Sequence, residues 1–171
     1  MRWDEQRPGG YAVIPRTLVF LFRGDNVLLL RGAQTKRRWP GRLNGIGGHV
    51  EPGEDVLAAA LREVHEEAGL EPRDLALRGI IHVTPPHASE PGIVVFVFLG
   101  STPARSFIPS AEGDLAWYPA HALPEPDVLQ DLPSLLPRLL KAREQGVLVY
   151  GHYETDATGV LRCAFREAPS Q

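Results

Sequence analysis

Three glutamates, Glu63, Glu66 and Glu67, stand at i, i+3 and i+4 in the stretch LREVHEEAG. At 100° per residue they span about 100° of a helix circumference, so a helix here gathers three carboxylates on one face. Like charges at this spacing each cost a helix a few tenths of a kcal/mol, and the cluster is unfavourable until a cation neutralises it. Hard oxygen donors select magnesium, or manganese in its place, over zinc. The chemistry such a cation supports is on phosphate: it bridges phosphate oxygens, offsets charge in the transition state and activates a water for in-line attack on phosphorus. Glu66 and Glu67 are the first-choice ligands for that task.

Such a face needs a helix to carry it and a sheet to hold the helix. Glu51-Pro52-Gly53-Glu54-Asp55 announces the helix, VLAAALREVHEEA continues it and Gly69 ends it, with acidic residues expected in the first turn. Leu57, Leu61, Val64 and Ala68 fall in one apolar stripe, expected to pack on the sheet well away from the carboxylates. Upstream, TLVFLFRGDNVLLL (17–30) reads as a hairpin around Gly24-Asp25-Asn26, followed by a long glycine-rich loop that feeds a short strand. Downstream, LALRGIIHV, GIVVFVFLG and a short run at Leu115 to Tyr118 read as strands. A second helix is expected over Leu132 to Glu144, limited at its start by Pro133 and Pro137, and then a closing strand pair around Asp156-Ala157-Thr158-Gly159.

Between Gly48 and Leu70 the segment GHVEPGEDVLAAALREVHEEAGL matches the Nudix box: glycine, five residues, Glu, seven residues, Arg-Glu-apolar-any-Glu-Glu-any-Gly-apolar. Seven exact residues, each at roughly 7% by composition, agree by chance about once in 10⁸ starting points. The chain thus resembles the Nudix hydrolases. That resemblance implies an α/β/α sandwich, with a mixed sheet between the box helix and a C-terminal helix. It implies that the Gly48 carbonyl reaches a metal, that Glu63 either ligates or serves as general base, and that Arg62 orients the carboxylates by ion pairing. Glu54 is expected to support the loop. Nudix enzymes commonly recruit one further acid, for which Glu112 in AEGDLAWY is the candidate as ligand or base, with Asp114 as the fallback.

The segments RWPGRLNGIGGHV and VLVYGHYETDATGVLRCAFRE, with Trp117-Tyr118 five residues after Glu112, resemble the MutT-like diphosphatases that act on oxidised purine nucleoside triphosphates. Asn44 stands where these enzymes place a base-binding asparagine, and an amide donates and accepts at once. His49 and Leu43 stand where the best-known members carry lysine and tryptophan. Asp127 and Asp131 lie in the part of the chain that supplies purine-reading aspartates in some relatives, and Asp131 is the candidate for substrate binding. Lys36 and Arg38, with Arg37 and Arg42, form a basic cluster suited to outer phosphates. Pro85 and Pro86 carry the competing expectation, an ADP-ribose or nucleotide-sugar diphosphatase; a non-hydrolytic nucleotide-binding module is a further alternative, and an isopentenyl diphosphate isomerase another, for which Cys163 lies too near the C-terminus to fit.

The 171 residues, 43% hydrophobic, suit one domain over 1–171. A net charge of -3 and a pI near 6.1 argue against a nucleic-acid polymer as partner and for a small nucleotide. Cys163 has no partner for an intrachain disulfide and reads as a small hydrophobe in a strand. The first ten residues have no apolar core of signal-peptide length, and no run is long enough for a membrane helix. The expectation is a cytoplasmic enzyme, monomer or homodimer.

Overall fold

The turn-forming Gly24-Asp25 pair separates two apolar runs, and these form antiparallel strands β1 (Val13–Arg23) and β2 (Asn26–Gly32). The computed structural model describes residues 10–34, 40–87, 89–108, 112–155 and 160–169. The remaining elements are β3 (Leu43–Asn44), α1 (Val56–Ala68), β4 (Arg73–Thr84), β5 (Gly92–Ser101), β6 (Gly113–Pro119), α2 (Leu132–Gln145), β7 (Val147–Thr155) and β8 (Leu161–Pro169). All eight strands join one mixed sheet in the order β3-β2-β1-β5-β4-β7-β8, with β6 added on β2. The pairs β1–β5 and β4–β7 are parallel and the others antiparallel.

Side chains alternate across this sheet into two cores. Val19, Leu21, Leu28 and Phe98 pack with Ala60, Val64 and Ala68 of α1. Phe20, Phe22, Val27 and Leu29 pack with Leu135, Leu136 and Leu139 of α2 on the other face. Burial on both faces is why β1 and β2 read as nearly unbroken apolar runs. The result is the expected α/β/α sandwich, with the mixed sheet between the box helix and the C-terminal helix.

The packing face of α1 differs from the expected stripe. Ala59, Ala60, Val64, Glu67 and Ala68 are buried, whereas Leu57 and Leu61 are 43% and 40% exposed. Three small alanines let the helix lie close to the sheet; the two leucines sit on the margin of the buried arc. The first turn holds no acid, contrary to expectation: Asp55 is the N-cap, and its Oδ1 accepts from the Leu57 and Ala58 amides at 2.8 and 2.9 Å. Gly69 closes the helix at φ 64°, a left-handed conformation that a side chain would strain.

Pro133 lies in the first turn of α2, where a missing amide costs nothing, and the helix continues through Pro137 to Gln145. Cys163 is a half-buried position of β8, and burial, then the charge of Asp131, raises its thiol to about 11. The expected closing turn at 156–159 lies outside the described residues.

Candidate active site

The site starts from a divergence of strands. β1 and β2 pair only through Leu21–Arg23 and Asn26–Leu28, then part. The box loop fills the wedge and is clipped to β1 by its backbone: the Val19 amide donates to Ile46, the Ile46 amide to Val19 and the Thr17 amide to Gly48, at 2.6, 3.0 and 2.9 Å. Glycine is required here by close approach. A Cβ on Gly47 would overlap the Thr17 carbonyl, and one on Gly48 would overlap the Glu63 carboxylate.

Arg62 organises the acids. Its Nη2 donates to Glu54 Oε1 at 2.8 Å and to the His49 carbonyl at 3.0 Å, and its Nη1 donates to Glu63 Oε1 at 2.9 Å and Glu66 Oε2 at 3.1 Å. These contacts, Glu54 first, raise the guanidinium above its ordinary range, and Arg62 is the main cause that lowers the Glu54 carboxyl. Glu54 also accepts from the Glu51 amide at 2.8 Å, so it bends the loop that precedes the helix. The side chains grade in exposure: Glu66 is 58% exposed, Glu63 13%, and Glu67 is buried at 5%. Glu67 therefore lies within the buried arc of α1 and not, as expected, well away from it.

Glu67 lines a cleft of about 900 Å³, large enough for a nucleotide. Leu135 of α2 lines the same cleft, and because the two helices cover opposite faces of the sheet, the cleft runs through the break beside β1. Asn44 and Asp131 line it too. Their segments are joined directly: the Leu43 amide donates to Asp127 at 2.9 Å, the Leu129 amide to Leu43 at 3.0 Å, and Arg31 bonds both Asp127 Oδ2 at 2.8 Å and the Gly41 carbonyl at 2.9 Å. Asp127 is thus engaged by Arg31, which its carboxylate holds above the ordinary range.

Asp131 is the N-cap of α2 but makes no capping bond with its side chain, and burial pushes its carboxyl above the usual carboxylate range. Tyr153 stands buried beside it, its phenol raised by burial and then by Asp131; the two approach without completing a well-directed hydrogen bond. The structure therefore brings Glu67, Asn44 and Asp131 together, with Glu63, Glu66, Arg62 and Gly48 adjoining through the box.

Glu112 lies on an exposed turn before β6, where its carbonyl accepts from Ala33; like Glu63 and Glu66 it is not among the described residues lining the cleft, and neither are Asp114, Pro85 and Pro86. Lys36, Arg37 and Arg38 lie outside the described residues, and Arg42 lines the cleft with its guanidinium bonded to the Pro126 carbonyl. Sequence reasoning missed Arg16, Thr17 and Tyr153 as cleft residues. A signal existed for Arg16, a charge in phase with Leu18, Phe20 and Phe22 on β1. It also gave no hint that His82 and His152 pair in register and stack, with centroids 5.5 Å apart.

Among the described residues, no three acidic, histidine or cysteine side chains converge into a ready cage for a metal. Arg62 draws Glu63 and Glu66 instead. The available donors nonetheless fit a hard divalent cation: three carboxylates and the Gly48 carbonyl, against whose residue the Glu63 carboxylate rests. That carbonyl accepts one bond from Thr17 and keeps a second lone pair.

Comparison with known proteins agrees with this fold. The NUDIX domain family model matches residues 13–139. The human 8-oxo-dGDP phosphatase NUDT18 is 35% identical over 132 residues, covering 74% of this chain and 38% of that protein, so the chain spans well under half of its length. The mouse oxidized purine nucleoside triphosphate hydrolase is 29% identical over 156 residues, covering 90% of this chain and 95% of that one. A mutator MutT protein structure from Bacillus halodurans superposes with a TM-score of 0.73 at 23% identity, covering 93% and 100% of the two chains.

Proposed function

The chain belongs to the Nudix family, and from that premise we propose that it hydrolyses a phosphoanhydride bond in a nucleoside diphosphate-linked substrate. The preferred substrate in this reading is an oxidised purine nucleoside triphosphate, cleaved to the monophosphate and pyrophosphate. One observation carries it: the box acid Glu67 shares a single cleft with Asn44 and Asp131.

Glu66, Glu67, Glu63 and the Gly48 carbonyl would hold magnesium, or manganese, and Arg62 keeps the carboxylates from repelling one another. When bound, the cation neutralises the phosphate chain and lowers the pKa of a water. A box carboxylate, Glu63 or Glu67, takes the proton as the water oxygen attacks phosphorus and the bridging P–O bond breaks. Asn44 and Asp131 face the base. An amide donates and accepts at once, and beside a carboxyl it suits a purine edge.

The test is phosphate and pyrophosphate release in magnesium across 8-oxo-dGTP, the ordinary dNTPs, ADP-ribose, diadenosine polyphosphates and a nucleotide sugar. Pyrophosphate release with preference for 8-oxo-dGTP is expected; preferential cleavage of ADP-ribose would overturn the substrate while keeping the chemistry. Asn44→Ala is expected to compress the ratio of kcat/KM between the best and poorest bases about tenfold, with little change on the poorest one. Equal losses on every base would remove Asn44 from base recognition.

A further inference from the structure

The two residues read as facing the base, Asn44 and Asp131, stand on segments that are joined to the sheet by few bonds. Asn44 belongs to β3, which is two residues long and pairs with β2 at Leu30–Asn44 and Arg31–Leu43. The chain leading to Asp131 is bonded to β3 in turn: the Leu43 amide and carbonyl engage Asp127 and Leu129, and Arg42 donates to the Pro126 carbonyl.

Arg31, the cross-strand partner of Leu43, stitches these pieces together. Its Nη1 donates to the Gly41 carbonyl at 2.9 Å, just before β3, and its Nη2 donates to Asp127 Oδ2 at 2.8 Å, just before α2. One rigid fork of donors thus spans β2, the entry to β3 and the approach to α2, which a point charge on a flexible stem does not do. Neither Arg31 nor Asp127 is among the described residues lining the cleft, whereas their neighbours Leu30, Gly32, Leu129 and Gln130 are, together with Asn44 and Asp131. The side chains of the pair are 33% and 50% exposed, so its contribution to global stability is small. Set behind both base-facing segments, the pair fixes their spacing.

We propose that Arg31 is a positioning residue for base recognition: through Asp127 and Gly41 it holds Asn44 and Asp131 in register with each other, and it touches neither the base nor the reacting phosphate. This role rests on the reading in which those two residues face the base. Arg62 aligns the acids of the box, and Arg31 aligns the groups that meet the base. A misplacement of about 1 Å can cost about 100-fold where several contacts must coincide. The backbone bonds of Leu43 survive the loss of Arg31, so the expected effect is smaller.

The probes are 8-oxo-dGMP, which carries a base, and inorganic pyrophosphate, which does not, each titrated calorimetrically in magnesium beside kcat/KM measurements across ordinary and oxidised dNTPs. Arg31→Met is expected to weaken 8-oxo-dGMP binding about 3- to 10-fold and to compress the kcat/KM ratio between the best and poorest bases by a similar factor, mainly through KM. Pyrophosphate binding and the magnesium dependence of turnover stay as in the wild type, and the unfolding midpoint stays within a few degrees. Arg31→Lys keeps the charge without the fork and falls between the two. Asp127→Ala breaks the same bond from its exposed side and shifts the same readouts in the same direction, and the double variant loses no more than Arg31→Met alone because the two residues act through one contact.

Unchanged 8-oxo-dGMP binding and base ratios in Arg31→Met and Asp127→Ala overturn the positioning role, as does a double variant whose loss is the product of the single losses. Equal weakening of pyrophosphate and 8-oxo-dGMP, or a collapsed melt in both single variants, makes the bond a structural one and overturns it too; if only Arg31→Met fails to fold, Asp127→Ala decides. A wild type that neither binds 8-oxo-dGMP nor distinguishes bases also overturns it. If the wild type binds 8-oxo-dGMP but cleaves no triphosphate, and the variants bind it more weakly, the positioning role stands and the hydrolase reading falls.

Discussion

Glu67→Gln is expected to lower kcat by about 10²- to 10⁴-fold, the range for losing one group that handles a proton or the developing charge. The substitution preserves volume and changes one property, the charge of a carboxylate that is 5% exposed and lines the cleft. Burial disfavours a charge, so removing it tests whether the anion itself, and not the volume of the side chain, is what the site uses. The amide fills the same space between the sheet and α1, and the unfolding midpoint should stay within a few degrees of wild type. Steady-state kinetics and a thermal melt on the same preparation decide the matter. Full turnover in Glu67→Gln removes Glu67 from the chemistry, and lost turnover with a collapsed melt makes its role one of packing.

That Glu67 is buried was not legible in the residues. The i, i+3, i+4 spacing correctly put Glu63, Glu66 and Glu67 on one arc of α1, but hydrophobicity located the buried face by its leucines. The sheet selected small residues instead, Ala59, Ala60 and Ala68 with Val64, because the helix sits close over β1. That rotates Glu67 inward and leaves Leu57 and Leu61 on the rim. Periodicity reports which residues share a face; closeness of approach decides which face is buried.

The strands were legible for a different reason. A sheet covered on both faces writes long apolar runs, and β1, β2, β4 and β5 carry them. What such runs do not encode is where pairing stops. β1 and β2 part after three residue pairs, and only the wedge so opened lets the box loop bond to β1 and the cleft pass between the cores. Asn44 and Asp131 are 87 residues apart in sequence, and their meeting depends on the backbone bonds of Leu43 to Asp127 and Leu129, which no local pattern announces.

Arg62→Met is the second large effect expected, and it separates the role of the arginine from that of the metal. With Arg62 present, Glu54, Glu63 and Glu66 are tied together by one guanidinium that offsets part of their charge, so removing divalent cations should abolish turnover while circular dichroism and the melt stay nearly native. Without Arg62 the same carboxylates repel one another and lose their alignment, and apparent magnesium affinity should fall about 10- to 100-fold, as when an orienting partner of a metal ligand is lost. Magnesium should then raise the melting midpoint of the variant more than that of the wild type, because the cation becomes the cluster's main compensation. The pH dependence has a definite sign. Arg62 holds the Glu54 carboxyl below its ordinary range, so the stability it contributes is present above that range and is lost as pH falls through the lowered value. The gap in stability between wild type and Arg62→Met should therefore be full at pH 7 and narrow as pH falls through the lowered Glu54 value. Identical magnesium dependence of turnover in the two proteins would show that Arg62 does not position the acids.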